Sequence, residues 1–184
     1  MQKFNNYCIN QNTIALIPLF TSKGELYCYV IEGELRFIVR KSPMQIIEDS
    51  LLRYGGDYKG AVKAAKYHLG SRYMVPIKIS GLYQIYIMPD QSPKNDGCVW
   101  VAIQHVIDFM KEDKNKTRVY LSNGHDIVVA LKENQFSDKL NRAENFKVKI
   151  QNVVQSVELI YEQSKGFSIV KETGKLNYEI TKKE

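Results

Sequence analysis

The sequence has little of what builds a disulfide scaffold, a metal centre or a membrane span. Its 184 residues include three cysteines, Cys8, Cys28 and Cys98, with no Cys-x-x-Cys pair, so they read as free thiols of a reducing compartment. Apolar runs such as residues 99–103 fall far short of the ~18–20 residues a membrane span needs. Residues 1–6 hold no apolar signal core, so the expectation is a cytoplasmic chain with no membrane partner. The three histidines, His68, His105 and His125, lack the His-x-x-x-His or Glu spacing of a zinc site. Gly55-Gly56 with Gly60 is not a phosphate loop, because neither a following Lys-Ser/Thr nor a preceding strand accompanies it. Ser122, His125 and Asp126 have the residue types of a hydrolase relay but crowd one tight turn, and they read as turn chemistry. The chain is therefore expected to be no enzyme and to use neither cofactor nor metal.

What is present is the composition of a soluble globular chain: 44% hydrophobic, 25% charged and 11% aromatic residues. The net charge of +6 is concentrated. Residues 36–78 hold nine basic side chains (Arg36, Arg40, Lys41, Arg53, Lys59, Lys63, Lys66, Arg72, Lys78) against three acidic ones (Glu48, Asp49, Asp57), and the rest of the chain balances. Such asymmetry suits a nucleic-acid partner, because phosphates recruit Lys and Arg and release counterions; it also fits a solvated basic face.

The pattern along the chain predicts an α+β fold, mostly an antiparallel β-sheet with a basic helical pair near residues 43–69 and a long C-terminal helix. Residues 13–20, 26–31 and 35–39 are β-branched and aromatic runs separated by Ser22-Lys23-Gly24 and Glu32-Gly33-Glu34. Ser42-Pro43-Met44-Gln45 is a capping-box start with Pro at the first helical position, followed by the stripe Ile46, Ile47, Leu51, Tyr54 and the stop Gly55-Gly56. Asp57 can cap a second helix to about Leu69, closed by Gly70. In it Lys59, Lys63 and Lys66 fall at i, i+4 and i+7 on one face, with Tyr58, Val62, Ala65 and Leu69 on another. Strands are expected over 73–79, 82–88, 99–107, 117–121 and 126–131, with a two-residue hairpin turn at Asn123-Gly124. The stretch 89–97 reads as a loop or wing. Tyr83, Tyr86 and Trp100 read as core, with single-strand stacking as the other use of such rings. After Asn134 the row Phe136, Leu140, Ala143, Lys147, Ile150, Val154, Val157, Tyr161 describes a long helix packed on the chain's own sheet, or a dimer seam. A break or a strand beyond residue 148 stays open. Residues 167–170 and 176–180, around Thr173-Gly174, suggest a small terminal hairpin or a loosely held tail. The expected organisation is a DNA-binding domain over 1–145 and a C-terminal helix and tail, oligomerising or regulatory, over 146–184.

These blocks come in an order that resembles one known family. Thr13-Ile14-Ala15-Leu16-Ile17-Pro18, Ser42-Pro43-Met44-Gln45-Ile46-Ile47, Tyr54-Gly55 with Tyr58 and Gly60, Pro76-Ile77, Met88-Pro89, Trp100 with His105, and Ser122-Asn123-Gly124 resemble the ComK family of competence transcription factors over residues 12–145. The sequence departs from the family pattern at Ala61-Val62 and Met74-Val75. The resemblance implies a sequence-specific transcriptional regulator that binds paired A/T-rich boxes in double-stranded DNA through the minor groove, as a homodimer or dimer of dimers. It also implies control by a proteolytic adaptor.

The candidate DNA-binding residues are Arg40, Lys41, Arg53, Lys59, Lys63, Lys66, Arg72 and Lys78. Lysines suit phosphate contacts, which position the protein, whereas base reading in a narrow A/T minor groove calls for an inserted Arg or Asn; Arg40, Arg53 and Arg72 are the candidates. The alternatives are a non-specific nucleic-acid or ssDNA-binding β-rich module, and a protein-interaction domain whose basic stretch faces an acidic partner.

Overall fold

A computed structural model describes the backbone of residues 2–70, 73–163, 167–171 and 178–182, with side chains through Val153. The N-terminal third folds as its apolar alternation dictates. Strand β1 (Lys3–Phe4) runs parallel to β4 (Leu35–Val39), while β2 (Thr13–Phe20), β3 (Leu26–Glu32) and β4 form an antiparallel meander. Strand β2 also pairs with β7 (Trp100–Ala102), which pairs with β6 (Ile85–Pro89), which pairs with β5 (Ile77–Ser80). The order is β1-β4-β3-β2-β7-β6-β5, which places the β5–β6 hairpin at one edge. A second sheet has β9 (Lys116–Leu121) between β8 (Val106–Asp113) and β10 (Asp126–Val129).

Two helices connect β4 to β5. Helix α1 (Pro43–Arg53) opens with the expected box: the Ser42 hydroxyl accepts from Gln45 N at 3.2 Å, and Gln45 Oε1 accepts from Ser42 N at 2.8 Å. Ile46, Ile47 and Leu51 bury its inner face against β2 and β5. Ser50 donates to Ile46 O at 2.6 Å and accepts from Ile9 N at 3.0 Å, stitching the N-terminal segment to the helix. Helix α2 (Tyr58–Leu69) is capped by Asp57, whose Oδ1 accepts from Gly60 N at 2.9 Å, and packs on β5. Gly70 follows with φ 80°, the positive value expected there.

The expected single strand over 99–107 is broken by a 3-10 turn, Ile103–His105, which hands the chain from the large sheet to the small one. The strands expected from 73 and 82 begin later, at Ile77 and Ile85. Met74 and Gln84 have φ of 52° and 54°, and Pro76 has no N–H to give a ladder. Asn123 and Gly124 do take positive φ, 59° and 70°, yet the turn is longer than two residues, with Leu121 N bonded to His125 O at 2.8 Å. Tyr86 and Trp100 are buried as expected, whereas Tyr83 is 45% exposed and rests edge-on against Tyr54, with ring centroids 6.1 Å apart.

Helix α3 (Glu133–Gln163) is continuous in backbone, which removes the alternative of a break or strand beyond 148. Among its described side chains the buried ones are Phe136, Lys139, Ala143 and Phe146, so the inner face there is rotated from the predicted row: Lys139 and Phe146 stand inside, while Leu140 and Lys147 are only half-buried. Phe146 meets Tyr86 edge-on at 5.9 Å, and Phe136 meets Phe109 at 5.1 Å. Lys139 Nζ donates to Pro89 O at 3.2 Å and contacts Met74 Sδ at 3.6 Å. Burial, and then the Arg142 guanidinium, lower its pKa. Burial also raises the pKa of neighbouring Asp90, whose Oδ1 accepts from Val99 N at 2.9 Å, and pushes the Cys98 thiol up to about 12. The predicted row beyond Val153 lies outside the described side chains.

The chain divides into two compact units, residues 1–148 and 149–184. The second holds the end of α3 and the antiparallel pair β11 (Phe167–Lys171) and β12 (Tyr178–Lys182), the terminal hairpin expected from sequence.

Candidate nucleic-acid interface

Helix α2 is amphipathic in an unusual sense, because its outer face is basic and carries no acid. Within YKGAVKAAKYHL there are three lysines and a histidine but neither Asp nor Glu. At 100° per residue Lys59, Lys63 and Tyr67 form one outward row with Lys66 beside it, opposite buried Ala65. All three lysines are exposed, and Tyr67 is 85% exposed. The three ion pairs among the described residues involve Lys41 and Arg118, so none neutralises an α2 lysine. Asp57 at the N-cap is the nearest acid in sequence, and its carboxylate is engaged with Gly60 N.

Beside this row runs a cleft of about 500 Å³ between α2 and the β5–β6 hairpin. Gly60, Ala61 and Ala64 line the helix side and Lys78, Gly81, Leu82 and Tyr83 the hairpin side, so the small side chains of α2 leave the groove open. Lys78 is the cation of this lining and Asp57 its acid, while Lys59, Lys63 and Lys66 stand on the neighbouring outer face of α2, outside the cleft.

The other predicted residues go elsewhere. Lys41 is held by Asp49 at 2.6 Å, an ion pair between the start and middle of the α1 region. Arg53, exposed at the end of α1, lines a different cleft of about 480 Å³ with Phe4, Tyr7, Leu35, Arg36 and Phe37. Arg40 is exposed just after β4, its N–H bonded to Phe4 O at 2.9 Å. Arg72 lies outside the described residues. Arg36, part of the positive surplus, is committed internally: its Nε and Nη2 donate to His125 Nδ1 at 3.2 and 2.8 Å. The basic block thus supplies one helical face with Lys78 across the cleft, and its remaining members are dispersed or paired.

Sequence reading missed three exposed side chains around the same region: Tyr67, Tyr73 at 85% and Leu82 at 84%. Tyr67 was recoverable, because it continues the Lys59–Lys63 spacing by another four residues. Tyr73 and Leu82 were hidden inside runs that look like strands.

The hydrolase-like residues do not form a relay. Both ring nitrogens of His125 are engaged, Nδ1 accepting from Arg36 and Nε2 donating to Gly33 O at 2.7 Å, while Ser122 Oγ points to His105 O at 3.5 Å. Among the described residues no group of three His, Cys, Asp or Glu side chains could hold a metal ion, and no helix is long and apolar enough to cross a membrane.

Comparison with known proteins agrees with the order of motifs. The model of the ComK protein family matches residues 4–155. The chain is also 28% identical over 148 residues to a competence transcription factor of Bacillus subtilis (strain 168), an alignment covering 80% of this chain and 76% of that protein. No solved structure matches the chain.

Proposed function

The chain belongs to the ComK family, and from that premise we propose that it is a DNA-binding regulator of transcription whose duplex-facing surface is the lysine row of α2 and the cleft beside it. The carrying observation is the acid-free, exposed face bearing Lys59, Lys63 and Lys66. Each ammonium there meets solvent counterions, which a phosphate displaces on binding, so the face supplies affinity and salt dependence more than sequence choice. Lys78 extends the contact to the hairpin side. Sequence preference then comes from paired A/T-rich boxes read through the minor groove, whose narrow form has an enhanced negative potential and accepts an inserted arginine. Arg40, Arg53 and Arg72 remain the arginines for that role. Lys41, with its charge held by Asp49, contributes least.

Paired boxes ask for matching protein symmetry, and the reading includes a homodimer or dimer of dimers. Residues 1–145 are the DNA-binding part and 146–184 the oligomerising or regulatory part, the latter also a place for a proteolytic adaptor. The protein acts in the cytoplasm, without cofactor and without catalysis. The test is a gel-shift titration at two salt concentrations with an A/T-box duplex, a scrambled duplex and the single strand. Preference for the A/T duplex, eroded by salt, supports the reading; equal affinity for all three leaves a non-specific nucleic-acid binder.

A further inference from the structure

The β5–β6 hairpin ends in an exposed aliphatic side chain that no fold requirement explains. Leu82 is 84% exposed at the tip of the turn Gly81-Leu82-Tyr83-Gln84, whereas the strands beneath it are almost wholly buried. The turn under Leu82 is firmly held. Gln84 donates to Gly81 O from its backbone N–H at 3.3 Å and from its side-chain amide at 2.7 Å. Tyr83 N–H donates to Ser80 Oγ at 3.4 Å, and the Tyr83 ring braces against Tyr54 at the end of α1. Lys78 lies at the base of the same turn, where a Cβ on Gly81 would stand 4.0 Å from its Nζ. A rigid apolar tip with a cation at its base, across a cleft from the helix that carries the exposed lysine row and whose N-cap Asp57 is bonded to Gly60 N, is the combination of parts by which proteins unstack a base step: lysines clamp the phosphates while an apolar wedge enters between bases.

We propose that Leu82 is such a wedge, inserted into the minor groove at a flexible base step while Lys78 and the α2 lysines hold the flanking phosphates. This rests on the duplex-binding reading above and adds to it the residue that deforms the DNA. A second copy of this chain is the less suitable occupant. A two-fold contact through this tip would oppose Lys78 to Lys78 and one α2 lysine row to the other, and like charges brought together oppose association. The negative duplex complements all of them.

The test uses the full chain and a duplex of about three helical turns, A/T-rich, with 2-aminopurine at a central pyrimidine–purine step and dyes at its ends. Wild type is expected to raise 2-aminopurine fluorescence, by unstacking the base, and to shorten the end-to-end distance. L82A, altering only an exposed side chain, should keep its melting temperature and the salt slope of binding while losing most of both signals; L82M, which retains an aliphatic wedge, should restore them. L82A signals equal to wild type at saturation would overturn the wedge and leave duplex binding standing, as would wild-type binding with no unstacking. Absence of any saturable duplex binding by wild type would overturn both. Conversion of a dimer to a monomer by L82A with DNA signals unchanged would assign the tip to a second copy instead.

Discussion

The charge of α2 makes a prediction that separates it from the other cations of the basic block. Lys59, Lys63 and Lys66 are exposed with no carboxylate partner among the described residues, so each carries counterions to release. If all three contact phosphates, replacing them with Ala makes the slope of log affinity against log salt shallower by up to about 2.7, at about 0.9 per contact. Between roughly 50 and 200 mM salt that slope alone represents about a 40-fold loss of affinity suffered by wild type and spared in the variant. Lys41 is the internal control, since its ammonium is already held by Asp49 at 2.6 Å. Lys41→Ala should move the slope by well under one contact. Fluorescence anisotropy with an A/T-box duplex over a salt series measures both, and circular dichroism checks that the variants are folded. An unchanged slope in the triple variant, or an equal loss for Lys41→Ala alone, would refute the assignment of phosphate contacts to α2.

Three further outcomes follow from particular side chains. Tyr86→Phe should stabilise the fold by about 1 kcal/mol, because the Tyr86 hydroxyl is buried without a hydrogen-bond partner among the described residues; urea denaturation reads this, and a loss of stability would show that the hydroxyl is satisfied. Burial lowers the Lys139 pKa below the ordinary lysine value of 10.5. In the window between the two values the unfolded chain holds a proton that the folded chain has released, so stability rises with pH there, by up to about 1.4 kcal/mol per pH unit. Lys139→Met should abolish that rise in denaturation experiments from neutral to alkaline pH, and an undiminished rise would assign it to another group. Leu82→Ala should spare the salt slope of binding and remove unstacking, as set out above.

Helix-forming signals were legible because they are local. The capping box of α1 and the Asp57 cap of α2 appear where spacing of three residues places them, and the lysine face of α2 follows from its periodicity alone. What escaped depends on distant partners. Nothing in sequence tells that Lys41 will spend its charge on Asp49 or that Arg36 will meet His125, 89 positions away. The same holds for Lys139, a polar residue drawn inside because Pro89 O offers an acceptor and α3 turns Phe146 inward beside it. Strand-like runs at 73–79 and 82–88 hid the turn that carries Leu82, since propensity says little about where a hairpin reverses when no Asn-Gly marks it.

The placement of α2 on the duplex is tested most directly by affinity cleavage. A DNA-cutting iron chelate attached to Lys63→Cys, in a Cys8→Ser background where the remaining Cys28 and Cys98 are buried, should cut an A/T-box duplex at a few adjacent positions within or beside the boxes. Cutting no stronger than that by the unattached chelate, from protein shown to be bound to the same duplex, would contradict the account.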